Sequence, residues 1–193
     1  MFETLANIFR IPDLRRRIFY TLMILVVFRI GTFIPAPNIN VDLLNIQANN
    51  IFGFLNVFGG GALENFSIFA MGIYPYITAS IIVQLLSMDV VPKFAEWAKQ
   101  GQEGRRKLAQ FTRYFTVVLA FIQAIGMTIG FNRIFPGLVE NPSFGTYLLI
   151  TLTLTAGTTL LMWMGEQINE KGIGNGISII IFGGIVEIGR AHV

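Results

Sequence analysis

Charge is missing from long stretches of this chain, and that constrains its fold more than any other feature. Phe66 to Met88 is 23 residues without an Asp, Glu, Lys or Arg, Tyr114 to Asn132 is 19, and Asn141 to Gly165 is 25. Ile18 to Ala36 is 19 residues interrupted only by Arg29, and Gly172 to Val186 is a shorter run of 15. A helix rises about 1.5 Å per residue and the hydrocarbon core of a bilayer is about 30 Å thick, so roughly 20 residues make one crossing. Backbone facing lipid must satisfy its own hydrogen bonds, so these windows are predicted to be helices. A water-soluble bundle would give each helix a polar face, and these windows have almost none. Hydrophobic residues make up 53% of the 193 and charged ones 13%, with 18 Phe. So small a globule cannot hide that much apolar surface from water. The expected fold class is an all-α polytopic membrane protein with about five transmembrane helices.

The basic residues orient the spans. Arg10, Arg15, Arg16 and Arg17 precede the first window; Lys93, Lys99, Arg105, Arg106, Lys107 and Arg113 separate the second from the third; Lys171 precedes the fifth. These 11 positive residues on one side face Arg133 alone on the other, which by the positive-inside rule puts the N-terminus in the cytoplasm. A cleaved signal peptide is the competing reading of the start, but there is no A-x-A-like site and further spans follow. Ile188-Gly-Arg-Ala-His-Val193 reads as a non-native tail, being what one frame of a common sequencing adapter encodes. Setting it aside removes His192, the only His, from any catalytic or metal role. Five spans with the last cut short predict a piece of a longer membrane protein.

Enzymatic chemistry is not visible. The absence of Cys excludes a disulfide, a cysteine nucleophile and a thiolate metal site. There is no G-x-x-x-x-G-K-[ST] loop and no G-x-S-x-G elbow, and Gly172-Ile-Gly174-Asn-Gly176 has the wrong spacing for a dinucleotide fingerprint. No cofactor is expected. Arg29, the one ionisable residue within a window, reads as a structural Arg bonded to neighbouring carbonyls in preference to part of a transport path.

Helix breaking is visible instead. Gly72-Ile-Tyr-Pro75 interrupts the second span, where Pro75 would remove a ladder bond and crowd the preceding turn. Ahead of it, Ile51 to Asn65 is too apolar for a solvated loop, too glycine-rich for a lipid-facing span and too short to cross twice. It reads as re-entrant backbone beside a cavity or, equally, as an amphipathic helix on the membrane surface. Ile73, Ile77 and Ile81 stand at i, i+4, i+8, and so do Ile173, Ile177, Ile181 and Ile185 in the fifth window. Such β-branched stripes pack helices, face lipid or line a constriction, the first two being commoner. The charged run from Pro92 to Lys107, containing Arg105, Arg106 and Lys107, is expected as a solvated cytoplasmic turn that can also meet anionic lipid heads. Without stacking aromatics around it, no nucleic-acid partner is expected.

Several blocks, in order, resemble one family. They are Phe28-Arg-Ile-Gly31 with Ile34-Pro35, Gly59-Gly-Gly-Ala-Leu63, Ser67-Ile-Phe-Ala70, Pro75-Tyr-Ile-Thr-Ala-Ser-Ile-Ile82, Gly104-Arg-Arg-Lys107, Met162-Trp-Met-Gly-Glu-Gln167 and Gly172-Ile-Gly-Asn-Gly-Ile-Ser-Ile179. From about Leu14 to Val186 the chain is similar to the SecY family, the central subunits of the bacterial protein-conducting channel. The resemblance implies a SecY-like fold of two pseudo-symmetric halves, of which this chain would be the N-terminal one. Residues 1–17 would then be a cytoplasmic segment and 18–186 the half-channel, with 188–193 outside it. Within the half-channel, TM1 would run over about 18–36, a re-entrant plug over 51–66, TM2 over 67–90, TM3 over 111–131, TM4 over 144–165 and a truncated TM5 over 174–186.

The resemblance also assigns roles. Phe52, Phe54, Leu55, Val57, Phe58, Gly59, Gly60, Gly61 and Leu63 would form the plug, and about Gly72 to Met88 one side of a lateral gate. Ile73, Ile77, Ile177 and Ile181 would belong to an apolar pore ring, and their phasing agrees. The implied activity is passage of unfolded polypeptides across and into the bacterial plasma membrane without covalent chemistry. Water leaves a narrow ring of branched apolar side chains, and apolar segments leave through the gate into lipid. The implied partners are SecE and SecG subunits, a SecA motor ATPase or the ribosome (acting mainly on regions beyond this chain), unfolded secretory and membrane-protein chains, and the lipid bilayer. No catalytic residue or metal is implied, and half a channel alone is expected to be inactive. The alternative is a secondary transporter with discontinuous helices. It predicts polar groups converging at mid-membrane, where Thr78, Ser80, Gln84 and Ser178 are only scattered.

Overall fold

Proline and serine set where several helices begin. A computed structural model describes residues 11–40, 62 and 66–191. Their helices are α1 (Pro12–Thr32), α2 (Tyr74–Leu85), α3 (Pro92–Lys99), α4 (Gly101–Ile134), α5 (Phe144–Lys171) and α6 (Gly176–Ala191), with a π-helical turn, Leu86–Val90, between α2 and α3. Pro12, Pro75 and Pro92 occupy first turns, where the missing N–H would have had no ladder partner. Ser143 caps α5 by accepting from the Thr146 amide at 3.3 Å. Among the described residues no strand forms, only the isolated bridges Pro35 to Ser67 and Ile39 to Val139.

Two expectations change. The second window does break between Gly72 and Pro75, but Pro75 costs no ladder bond there: α2 begins beside it, and residues 66–73 ahead of it are a succession of turns. The window from Phe66 to Met88 is therefore not one helix. The charged run from Pro92 to Lys107 is not a solvated turn either, since α3 and α4 occupy it with Gln100 alone between them. Gly101, at φ +69°, makes that reversal, and a Cβ on Gly104 would overlap the Trp97 carbonyl. A π-helical turn ahead of α3 carries it away at 93° to α2.

Alone, α4 and α5 are long and apolar enough to cross a membrane, and the bent pair of α2 and α3 adds a third span if counted as one. Asp13, Arg15, Arg16, Arg17 and Arg29 keep α1 from meeting the same measure, and the apolar part of α6 is shorter. With 34 residues, α4 is about 51 Å long, so it outreaches a hydrocarbon core by several turns. Its first turns carry Arg105, Arg106 and Lys107, all exposed.

Packing in such a chain cannot follow polarity. In α1, Thr21, Ile24, Phe28 and Gly31 are buried while Phe19, Leu22, Met23, Val26 and Ile30 are exposed, so protein-facing and outward sides are alike apolar. Close approach decides instead, and small residues permit it. The buried stripe of α4 is Thr112, Thr116, Ala120, Ala124 and Thr128, and α4 packs along α5 and α2. Its threonine hydroxyls donate back one turn, as Thr116 does to the Thr112 carbonyl at 2.7 Å and Thr128 to Ala124 at 2.8 Å. On α5 Thr155 donates to Thr151 at 2.7 Å, whereas Thr158 Oγ1 is buried without a partner.

Glycines mark the tightest contacts. A Cβ on Gly157 would overlap the Ile68 carbonyl, and one on Gly31 would overlap the Phe69 ring. Gly126 on α4 has open space around its Cβ position. Gly157→Ala should therefore destabilise the fold by about 1–3 kcal/mol through overpacking, whereas Gly126→Ala should be neutral or stabilising by up to about 1 kcal/mol. Thermal unfolding of the two variants in one detergent checks this, and equal midpoints would contradict the described packing.

Candidate functional site

Residues 66–73 bring the start of α2 into the bundle. Phe69 stacks on Phe28 of α1 with ring centroids 5.9 Å apart, and Ile68 donates its amide to the Ile34 carbonyl at 3.0 Å. Ser67 closes the turn by accepting from the Phe69 amide at 3.2 Å and, through its carbonyl, from Ala70 at 2.8 Å. Ile73 then caps α2, receiving the amides of Tyr76 and Ile77 at 3.1 Å.

The start of α6 is held just as firmly. The Asn169 side chain accepts from the Gly176 amide at 2.7 Å, and the Asn175 side chain from the Ile177 amide at 3.0 Å. Gly176 lies so close to α5 that its Cβ would overlap the Gly165 carbonyl. Thr21 of α1 accepts from the Ile173 amide at 3.2 Å, and Tyr20 donates to Gln167 at 3.1 Å. One end of the bundle is thus tied by polar groups, joined there by the Arg113 to Glu166 ion pair at 2.5 Å.

Between these anchors lies one apolar cluster. Ile24, Phe28, Phe69, Ile73, Leu161, Met164, Ile168 and Ile180 are buried in it, and Ile77, Ile177 and Ile181 pack half-buried against it. The four isoleucines singled out in the sequence therefore meet in one place, but not alike. Ile73 is 5% exposed and belongs to the packed interior, while the other three keep one side free. The rest of each stripe diverges: Ile81 is 51% exposed and Ile185 41%. A step of four residues overshoots a 3.6-residue turn by about 40°, so two steps carry a side chain about 80° round the helix.

The other predicted site residues stand apart. Arg105, Arg106 and Lys107 lie on the exposed first turns of α4, where Lys107 pairs with Glu103 at 3.8 Å. Phe52, Phe54, Leu55, Val57, Phe58, Gly59, Gly60, Gly61 and Leu63 lie outside the described residues. Ala62, within the same predicted plug, is buried in the isoleucine cluster. Sequence reasoning missed Phe28, Phe69, Asn169 and Asn175. For Asn175 the signal was present, an Asn just before a helix start; Phe28 and Phe69 lie within the blocks that carry the family resemblance, but nothing in those blocks says that the two rings stack on each other.

The described residues hold no group of acidic, His or Cys side chains able to bind a metal. What the arrangement offers is shape and apolarity. Solved structures share the fold: a protein-conducting channel and the Sec61 of a canine ribosome–channel complex from the endoplasmic reticulum both align with TM-score 0.63 at 21% identity. Each alignment covers 90% of this chain and 36% of the other. The chain is thus a multi-pass helical membrane protein with the fold seen in a protein-conducting channel.

The particular family follows from sequence. A family model described as SecY matches residues 67–189, and the chain belongs to that family. The protein translocase subunit SecY of Halalkalibacterium halodurans is 69% identical over 96% of the chain, and that of Bacillus subtilis 63% over 97%. The chain spans under half the length of these relatives, 43% and 44%. Membership lends no support to the secondary-transporter alternative.

Burial ranks the isoleucines. Ile73→Ala leaves a cavity among packed side chains and should destabilise by about 1–2 kcal/mol, mostly through lost contacts because hydrocarbon is the alternative surrounding, and Ile181→Ala by less than half of that. Denaturant unfolding of the two variants checks the order, and equal losses would contradict the cluster.

Proposed function

We propose that this chain is one half of the wall of a protein-conducting channel, through which unfolded polypeptides cross the bacterial plasma membrane or enter it. One observation carries the reading: Ile77 of α2 and Ile177 and Ile181 of α6 share an apolar cluster and each keeps a side unpacked. Ile73 is their packed footing. A second half would present comparable side chains to the free sides and complete a ring. Such a constriction excludes water and ions at rest, since water leaves a narrow apolar passage, yet it parts for a sliding chain.

The remaining assignments belong to the same proposal. The segment 51–66 is the plug that covers the ring, and its Ala62 supports this by lying in the cluster. The outward face of α2, with Ile81, Leu85 and Met88 exposed, is one side of the lateral gate. The N-terminus and the basic start of α4 are cytoplasmic, on the positive-inside count. SecE and SecG complete the complex, SecA or the ribosome drives or feeds it, and the translocating chain is the substrate. Nothing in the apolar cluster can carry covalent chemistry, so the energy comes from the partner.

Two experiments on the full-length protein test the ring. A photo-crosslinking residue at Ile77 or Ile181 should label a stalled translocating polypeptide, and labelling of lipid alone counts against a pore. The double variant Ile77→Gly with Ile181→Gly should raise the resting ion conductance of the reconstituted channel at least severalfold. Unchanged conductance would remove the constriction from the reading.

A further inference from the structure

Outside the isoleucine cluster, α4 and α5 leave a groove of about 230 Å³. Phe121, Ile125 and Ile129 of α4 line one wall, and Phe144 and Leu148 of α5 the other. The two polar side chains at its floor are spoken for or buried: Tyr147 accepts from Asn132 Nδ2 at 2.8 Å, and Thr151 is closed off from solvent. Both walls belong to the two helices that are, by length and composition, able to span a membrane alone.

The wall on α4 has a charged continuation. Phe121, Ile125 and Ile129 line the groove at i, i+4 spacing, and Arg133, one turn beyond Ile129 and about 40° further round the helix, is exposed in the last turn of α4. It is the only Lys or Arg between Arg113 and Lys171. No ion pair of Arg133 forms among the described residues, and Glu140, on the connection that follows, does not engage it. A guanidinium at the end of a spanning helix, one turn beyond an apolar trough, matches a molecule with a hydrocarbon tail and an anionic head.

We propose that this groove is a specific binding site for an anionic phospholipid, with one acyl chain lying along Ile125 and Ile129 and the head phosphate paired with Arg133. The volume suits part of one chain and no bulkier ligand. The tail supplies affinity through apolar contact, and the guanidinium selects the head by charge-assisted hydrogen bonds to phosphate oxygens. A lipid so held differs from the surrounding bilayer lipid in residence and in headgroup preference.

The test uses the full-length protein reconstituted in phosphatidylcholine vesicles containing a trace of phosphatidylglycerol with a photoreactive acyl chain, compared with the same probe on phosphatidylcholine. Adducts are mapped by mass spectrometry, with the outward side of α1 around Val26 as the internal reference for ordinary lipid contact. Phosphatidylglycerol should label the peptides bearing Ile125, Ile129 and Leu148 in preference to the reference. Arg133→Gln should reduce that excess about fivefold, the effect of one basic residue at a lipid surface. Ile125→Trp, which fills the groove, should abolish the excess with either head, and unchanged α1 labelling shows that each variant still inserts. Equal labelling by both probes, or an excess indifferent to Arg133→Gln, would overturn the proposal. So would a groove that stays unlabelled while α1 is labelled, because a protein surface then occupies it.

Discussion

Non-helical backbone survives inside a membrane protein only where protein satisfies its polar groups, and the turns at 66–73 impose that constraint here. Their amides and carbonyls bond to one another, to Ser67 Oγ and to the connection after α1. For the segment to reach those partners, its neighbours must be almost flat, and Gly157 and Gly31 leave the space for the Ile68 carbonyl and the Phe69 ring. Through this arrangement α2 starts well inside the bundle, with Ile73 and Ile77 delivered to the cluster rather than to the surface.

The rest of the packing follows from the solvent being lipid. Burying one apolar side chain against another gains little when hydrocarbon is the alternative, so contact area and close fit hold the helices together. That is why the stripe of α4 consists of Ala and Thr, and why α5 meets α6 at Gly165 and Gly176. The Thr hydroxyls cost little there because each returns its proton to its own helix, as Thr116 and Thr155 do. Larger apolar side chains, among them Phe19, Val26, Ile122 and Leu152, are left on the outside of the bundle. Polar ties concentrate at one end of the bundle, with Tyr20, Thr21, Arg113 and Asn169 joining α1, α4, α5 and α6.

Much of this was legible before any coordinates. Long uncharged windows announce membrane helices because solvation by hydrocarbon is a local property of a segment, and α4 and α5 lie on two of them. The pairing of Ile73 with Ile77, and of Ile177 with Ile181, was readable from spacing, since one helical turn fixes side chains four apart on nearly one face. Other features were read wrongly for equally physical reasons. Pro75 does mark the break, but it removes no ladder bond, because that loss needs a helix ahead of it and none precedes it. The run from Pro92 to Lys107 looked like a solvated turn by its charge, yet charged residues are good helix formers once Gly101 has made the reversal.

By itself the sequence determined the solvent, the helical class and the isoleucine stripes, because hydropathy and periodicity are carried by residues close together along the chain; the choice of four of those isoleucines came from the family resemblance. Only the tertiary structure decided which side of each helix faces protein. In α1 the buried Ile24 and Phe28 and the exposed Val26 and Ile30 are chemically interchangeable, so no pattern in the chain separates them. The choice came from distant partners: a glycine opposite a carbonyl, an asparagine opposite an amide, one phenylalanine stacked on another. Such pairings join residues tens to more than a hundred positions apart, as Thr21 and Ile173 show, and they exist only once the helices have met.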